Sequence, residues 1–171
     1  MTREEDVAFM TDERLADGWE VERAIRAALY HAAYSLDSED FMAFLDWCAP
    51  AFSYRITTYS PEIRREMTWL DKDREGMHEL LSTLSKHNRD RTPIVRHWSL
   101  MMVSPALGDN SYDVVSALQV YRTHTDGGVT SLYAVGRYLD HVVIEGDRAL
   151  LAAREVRLET RMLGTGYHVP F

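Results

Sequence analysis

Seven histidines and one cysteine are the residues of this sequence best suited to metal or nucleophilic chemistry. His31, His78, His87, His97, His124, His141 and His168 are never paired at ligand spacing: there is no His-Glu-x-x-His, and no Cys-x-His with a later Cys-x-x-His. Solvated or hydrogen-bonded histidines are the simpler reading, with ligands gathered from distant positions left open. Cys48 alone makes no intrachain disulfide, structural zinc site or iron–sulfur cluster. Near Phe44 and Leu45 on a helix face, it reads as a small buried hydrophobe rather than a nucleophile. Gly-x-Ser-x-Gly, Gly-x-Gly-x-x-Gly and the phosphate-binding loop are absent, and Gly127-Gly128 reads as a hairpin turn because no helix follows it. One constellation remains: Tyr30, Tyr34, Asp46, Tyr54 and His97 could line a pocket between sheet and helices. An Asp and His there would supply the general base of a stand-alone dehydratase or isomerase, or the pocket would make a small-ligand binding module. Asp46, beside Trp47 on a short amphipathic helix, equally fits a position facing water.

Composition bounds what these residues can belong to. The 171 residues suit one domain, and 46% apolar with 27% charged residues describes an ordinary globular chain. Lys and Arg total 19 against 27 Asp and Glu, a formal charge of −8, the wrong sign for gripping a phosphate backbone, so no nucleic acid is expected as partner. No apolar run approaches the ~20 residues of a membrane span. Residues 1–18 are acidic and polar without an apolar targeting segment, and read as a tail or short docking helix ahead of a domain over 19–171. With a lone cysteine, this points to the cytoplasm.

The elements that must position the candidates follow from periodicity. Val21, Ile25, Ala28, Leu29, Ala32, Ala33 and Leu36 recur at three- and four-residue spacing and predict a helix from about Trp19 to Leu36. Asp37 and Ser38 suit the N-cap of a second helix carrying Phe41, Phe44, Leu45 and Cys48 and ended by Pro50. Phe52–Thr58 reads as a strand broken at Tyr59-Ser60-Pro61, and 62–72 as a long charged connection. Asp73 caps a third helix with Met77, Leu80, Leu81 and Leu84 on one face. Ile94–Val103, Tyr112–Thr123, Val129–Ile144 and Ala149–Thr160 then read as an antiparallel meander joined at Leu107–Asn110, Asp126–Gly128 and Glu145–Asp147. Helices followed by sheet predict an α+β fold: a cystatin-like, nuclear-transport-factor-2-like cone, with the N-terminal helices packed on a curved antiparallel sheet. Gly136 marks a place for the sheet to bend.

The run from Glu62 to Glu75 mixes both charge signs with Met67, Trp69 and Leu70. It reads as a solvated loop or as a polar-rimmed subunit interface. Arg154–Arg157 and the tail Met162–Phe171 invite the same interface reading, because Tyr167 and Phe171 would be exposed unless something covers them.

Several local patterns occur in a set order: Asp40-Phe41-Met42-Ala43-Phe44-Leu45, Asp73-Arg74-Glu75-Gly76-Met77, Thr92-Pro93-Ile94-Val95-Arg96-His97, Val120-Tyr121-Arg122, Val135-Gly136-Arg137-Tyr138 and Ala153-Arg154-Glu155-Val156-Arg157-Leu158. Over residues 20–171 this order resembles the small, or β, subunit of Rieske non-haem iron ring-hydroxylating oxygenases. The resemblance implies a cone-shaped subunit that self-associates as a trimer beneath three larger (α) subunits. The large subunit would carry the Rieske [2Fe–2S] cluster and the mononuclear iron, receiving electrons from NAD(P)H through separate components that act on it. The small chain would hold no cofactor and contribute assembly and stability to a dioxygenase or related monooxygenase. Arg96-His97 matches the family's Arg-His pair, and with Trp69 and Phe171 gives the expected subunit-interface residues. In two places the sequence departs from the pattern: Phe52–Ile56 runs on to Pro61 without an earlier proline, and Met67–Asp73 lacks the usual Asp-rich entry. The latter is more similar to the branch acting on aromatic acids such as terephthalate, or on small sulfonates such as methanesulfonate.

Overall fold

A computed structural model describes residues 12–84, 92–164 and 170–171. Helix α1 (Asp12–Asp37) is followed by α2 (Phe41–Leu45), β1 (Cys48–Ser60), β2 (Arg65–Asp73), α3 (Arg74–Leu84), β3 (Ile94–Pro105), β4 (Ser111–Thr123), β5 (Thr130–Glu145) and β6 (Arg148–Leu158). Ile25, Ala28, Leu29, Ala32 and Leu36 of α1 are buried, as their spacing requires. The helix itself reaches back through Gly18 to Asp12. The N-cap of α2 is Asp40, whose carboxylate accepts from the Ala43 amide at 3.2 Å, rather than Asp37 or Ser38. Asp37 instead closes α1 and turns to β3. Asp73 caps α3 as expected, accepting from the Gly76 amide at 2.8 Å.

The strands form one six-stranded sheet in the order β2-β1-β6-β5-β4-β3. The last four make the anticipated meander, but the sheet is mixed rather than antiparallel throughout, because β1 and β6 run parallel. After the β1–β2 hairpin, α3 carries the chain across to the far edge, and the meander walks back until β6 lies beside β1. Two further departures are local. Cys48, Ala49 and Pro50 open β1 instead of ending α2, with Pro50 inside a register irregularity between Cys48 and Ser53 where its missing N–H costs no ladder bond. The charged connection is itself strand β2, an edge strand with both faces mostly wet.

All three helices lie on the concave face. Ile25, Leu29, Phe41 and Leu45 pack there against the inward residues Val114, Leu118 and Val120 of β4, Tyr138 and Val142 of β5, and Val156 and Leu158 of β6. On β6 the inward phase runs Ala149, Leu151, then Arg154, Val156 and Leu158. The opposing register skips Ala152, and this bulge moves the alternation by one residue. Beyond β6 the chain turns back over the sheet. The Glu159 amide donates to Val135 O at 2.8 Å, the Tyr133 hydroxyl donates to Leu163 O, and Arg161 pairs with Glu62. That last bond, aided by Ser60, holds the Glu62 carboxyl down at about 2.

Candidate functional site

The concave face carries charge where strand periodicity calls for apolar side chains. Asp140 of β5 and Arg154 of β6 are opposite one another in the ladder. Both are fully buried, and the guanidinium gives Oδ1 and Oδ2 one hydrogen bond each at 2.8 Å. The same guanidinium lies 4.0 Å from the centre of the Tyr138 ring, a cation–π contact in a dry environment. Arg96, from edge strand β3, spans from the end of α1 to the chain's last residues. Its Nη1 lies 2.5 Å from Asp37 Oδ1, its amide also donates to that carboxylate, and Nη2 donates to Pro170 O. The Tyr54 hydroxyl donates to Phe171 O at 2.9 Å. Burial pushes both the Tyr54 and Tyr138 phenols above their ordinary range, so they are donors at neutral pH.

Among the described residues no helix covers the convex face. A groove of about 350 Å³ crosses it, lined among others by Ser53, Arg55, His141 and Glu155. There His141 Nδ1 lies 2.9 Å from Asp113 Oδ1, a half-exposed pair on an open surface. Arg55 reaches Glu66 and Asp71 of β2 at 3.4 and 3.3 Å. Further along the hairpin, Ile56 faces Leu70 while Thr57 faces Thr68, so Trp69 is the extra residue of a β-bulge. A bulge re-aims its side chain, and Trp69 is 47% exposed on the sheet edge.

The five residues considered for a catalytic pocket are not brought together. Tyr30 and Tyr34 are 62% and 72% exposed on the outside of α1, Asp46 and His97 also face outward, and Tyr54 is sealed in the core. Tyr30 instead meets Trp98 with ring centres 4.9 Å apart. Of the expected interface residues, Trp69 and His97 are exposed, whereas Arg96 and Phe171 are buried inside the chain with the partners given above. His31 stacks on Trp47 at 4.5 Å, His78 and His124 face outward, and His87 and His168 lie outside the described residues. Among the described residues, no three His, Cys, Asp or Glu side chains gather as a metal ligand set. No motif marks the Asp140–Arg154 pair. Asp140 keeps the inward phase of β5, but Arg154 turns inward only through the register shift at Ala152, which alternation within β6 alone does not show.

Cys48 is buried and its thiol bonds Phe44 O at 3.4 Å; burial pushes it up to about 12. At pH 8 a thiol-alkylating reagent is therefore expected to leave the native chain unlabelled and to label it fully in urea, read by intact mass. Labelling of the folded chain would contradict this placement.

Three helices on one face of a curved mixed sheet define an α+β cone of the nuclear-transport-factor-2-like class, whose interior in this chain is packed by its own residues. No protein-family model matches the chain. It is 38% identical over 154 residues to the methanesulfonate monooxygenase hydroxylase subunit beta of Methylosulfonomonas methylovora, covering 86% of this chain and 85% of that protein. It is also 38% identical over 147 residues to the 2-aminobenzenesulfonate 2,3-dioxygenase subunit beta of Alcaligenes sp, covering 86% and 97%. The fold matches a structure assigned as the β subunit of an aromatic-ring-hydroxylating dioxygenase of Novosphingobium aromaticivorans, with TM-score 0.77, 16% identity and coverage of 92% and 99%. The chain belongs to the family of small (β) subunits of ring-hydroxylating oxygenases and related monooxygenases.

Proposed function

We propose that this chain is the assembly subunit of a sulfonate oxygenase. It joins a large α subunit that carries a Rieske [2Fe–2S] cluster and a mononuclear iron, and it self-associates as a trimer in the cytoplasm. The observation that carries the reading is the 38% identity, across 86% of the chain, to β subunits of two enzymes whose names both specify a sulfonate. The donor set of the chain agrees with placing the metals elsewhere. A Rieske cluster takes two thiolates and two imidazoles, and this sequence has one cysteine, buried and bonded to Phe44 O. No step of the oxidation is therefore assigned to its residues. Electrons from NAD(P)H enter through components that act on the large subunit.

Trp69 is the anchor we assign to the subunit interface. An exposed aromatic side chain projected from a bulge, on a strand whose Glu66 and Asp71 pair with Arg55, has the composition of an interface hot spot: an aromatic residue on a surface of paired charges. Co-expression of the tagged chain with its neighbouring large subunit is expected to yield equal numbers of both, with iron and acid-labile sulfide in the complex. Oxygen uptake should be driven by an alkane- or arylsulfonate rather than by an unsubstituted arene. In the same experiment Trp69→Ala is expected to leave the thermal midpoint of the isolated chain unchanged and to weaken assembly at least tenfold, about the loss of one hot-spot residue. A chain that purifies alone and metal-free, or a variant that assembles normally, overturns the corresponding assignment.

A further inference from the structure

The two edges of the sheet are built differently. Edge strand β2 carries Arg65, Glu66, Asp71, Lys72 and Asp73 together with the bulge at Trp69, and charge and bulges are the usual devices that keep an edge from pairing. Edge strand β3 is 12 residues long, and its one Lys, Arg, Asp or Glu is Arg96, which is buried on Asp37. Val95, Met101 and Met102 are exposed along it. The Arg96 amide points away from β4 and is covered, since it donates to the Asp37 carboxylate. Trp98 and Leu100 follow in the same phase ahead of the register shift at Met101, so their amides and carbonyls also point away from β4. Among the described residues no strand lies beside them.

An open edge is completed by an extended backbone, and charge and symmetry say whose. The chain has a formal charge of −8, so most of its surface repels a second copy, whereas Trp98-Ser99-Leu100-Met101-Met102 contains no charged residue. A strand edge is also self-complementary about a two-fold axis, where every donor meets the acceptor of the residue opposite. We infer that two copies of this chain pair their β3 strands antiparallel about a two-fold axis at Ser99, joining their sheets edge to edge. In that register Trp98 stands opposite Leu100 of the second copy, twice over, and each pair exchanges both of its main-chain hydrogen bonds. The same contact covers aromatic rings that α1 leaves exposed beside the edge: Tyr30, 4.9 Å from Trp98 between ring centres, and Tyr34 one turn further along. The Asp37 cap and the bulge at Met101 close the paired stretch at its two ends. The contact is independent of the oxygenase reading and of Trp69, which lies on β2 at the opposite edge of the sheet.

The register makes the test specific. Across the axis the two Ser99 residues form a non-hydrogen-bonded pair with Cα atoms about 4.5 Å apart, within the span of a disulfide, whereas the two His97 residues are offset by roughly 14 Å. Air oxidation of the full chain carrying Ser99→Cys is expected to give a disulfide-linked dimer on a non-reducing gel, and His97→Cys is expected to give at least tenfold less. The native thiol does not interfere, because Cys48 is buried. Ser99 and His97 are both exposed, so neither change disturbs the core. Without any cross-link, sedimentation of the wild-type chain should show a concentration-dependent association that Ser99→Lys weakens at least tenfold, since it sets two like charges opposite one another on the axis. Trp69→Ala added to Ser99→Cys should leave the yield of linked dimer unchanged, which separates this contact from the interface assigned to Trp69. Equal cross-linking from the two cysteine positions would mean random collision and would overturn the pairing. So would a Ser99→Cys chain that stays unlinked, or an association indifferent to Ser99→Lys.

Discussion

Arg154→Met is expected to lower the unfolding free energy by about 3–5 kcal/mol, the usual result of leaving one member of a buried ion pair without its partner. For a chain of this length that corresponds to a fall of roughly 6–20 °C in Tm. The reason is the completeness of the pairing. Both side chains are at most 1% exposed, and each carboxylate oxygen of Asp140 accepts one guanidinium bond at 2.8 Å. Water cannot reach Asp140 to replace what is lost, so the carboxylate must bind a proton or the strands must part. Asp140→Leu leaves the opposite charge stranded, moderated by the Tyr138 ring beneath Arg154. The double variant Arg154→Met/Asp140→Leu is expected to recover most of the loss, because two apolar side chains of similar size incur no charge desolvation and Arg154 Nη1 no longer lacks an acceptor. Urea unfolding of the four proteins gives the coupling energy directly. Single variants within ~1 kcal/mol of wild type would show that water reaches the pair and that the cone is wetter than its packing indicates.

The pair also shows why part of this structure was legible in the sequence and part was not. The α1 stripe, the Asp73 cap and the three meander turns are local signals, set by spacing within one element or by turn chemistry over a few residues, and each appears where the sequence places it. Three other features depend on partners distant in sequence. Strand β2 has neither an apolar face nor alternation, and only pairing with β1 makes it a strand. The parallel approach of β6 to β1 follows from where α3 delivers the chain. The shift at Ala152 is set by the opposing strand, and it decides that Arg154 faces Asp140 rather than solvent.

The candidate site divided along the same line. Asp46 and His97 were grouped because their chemistry is complementary, yet each sits on the outward side of its own element. Arg96 is expected at an interface through the Arg-His pair of the resemblance, and Phe171 because a terminal aromatic is normally exposed unless something covers it. Asp37, Pro170 and Tyr54, from three separate regions, hold them inside. Among the described residues no helix covers the convex sheet face, and the hairpins and edge strands turn side chains outward there, Trp69 at its bulge among them.

Curvature is what creates that division between inside and outside, and at Gly136 the backbone of β6 comes closer to β5 than a side chain allows. The residue lies between Leu118 of β4 and Leu158 of β6, three positions beyond Tyr133, which the β4–β5 register leaves unpaired as a further bulge. A Cβ placed on Gly136 would come 2.9 Å from Leu158 Cα and 3.1 Å from Arg157 C, with the Arg157 carbonyl oxygen closer still. All three are backbone atoms in a paired strand, so no side-chain rotation relieves the overlap. Gly136→Ala is therefore expected to destabilise the chain by about 3 kcal/mol, the upper end of ordinary overpacking, because β5 and β6 must separate at this point. Gly18→Ala is the matching control: it lies within α1 with nothing inside 4 Å of the added methyl, and replacing a mid-helix glycine should stabilise by about 0.5–1 kcal/mol. Thermal melts of the two variants should move in opposite directions. An unchanged melt for Gly136→Ala would mean that the strands yield at this point and that the close approach of β5 to β6 is not required for stability.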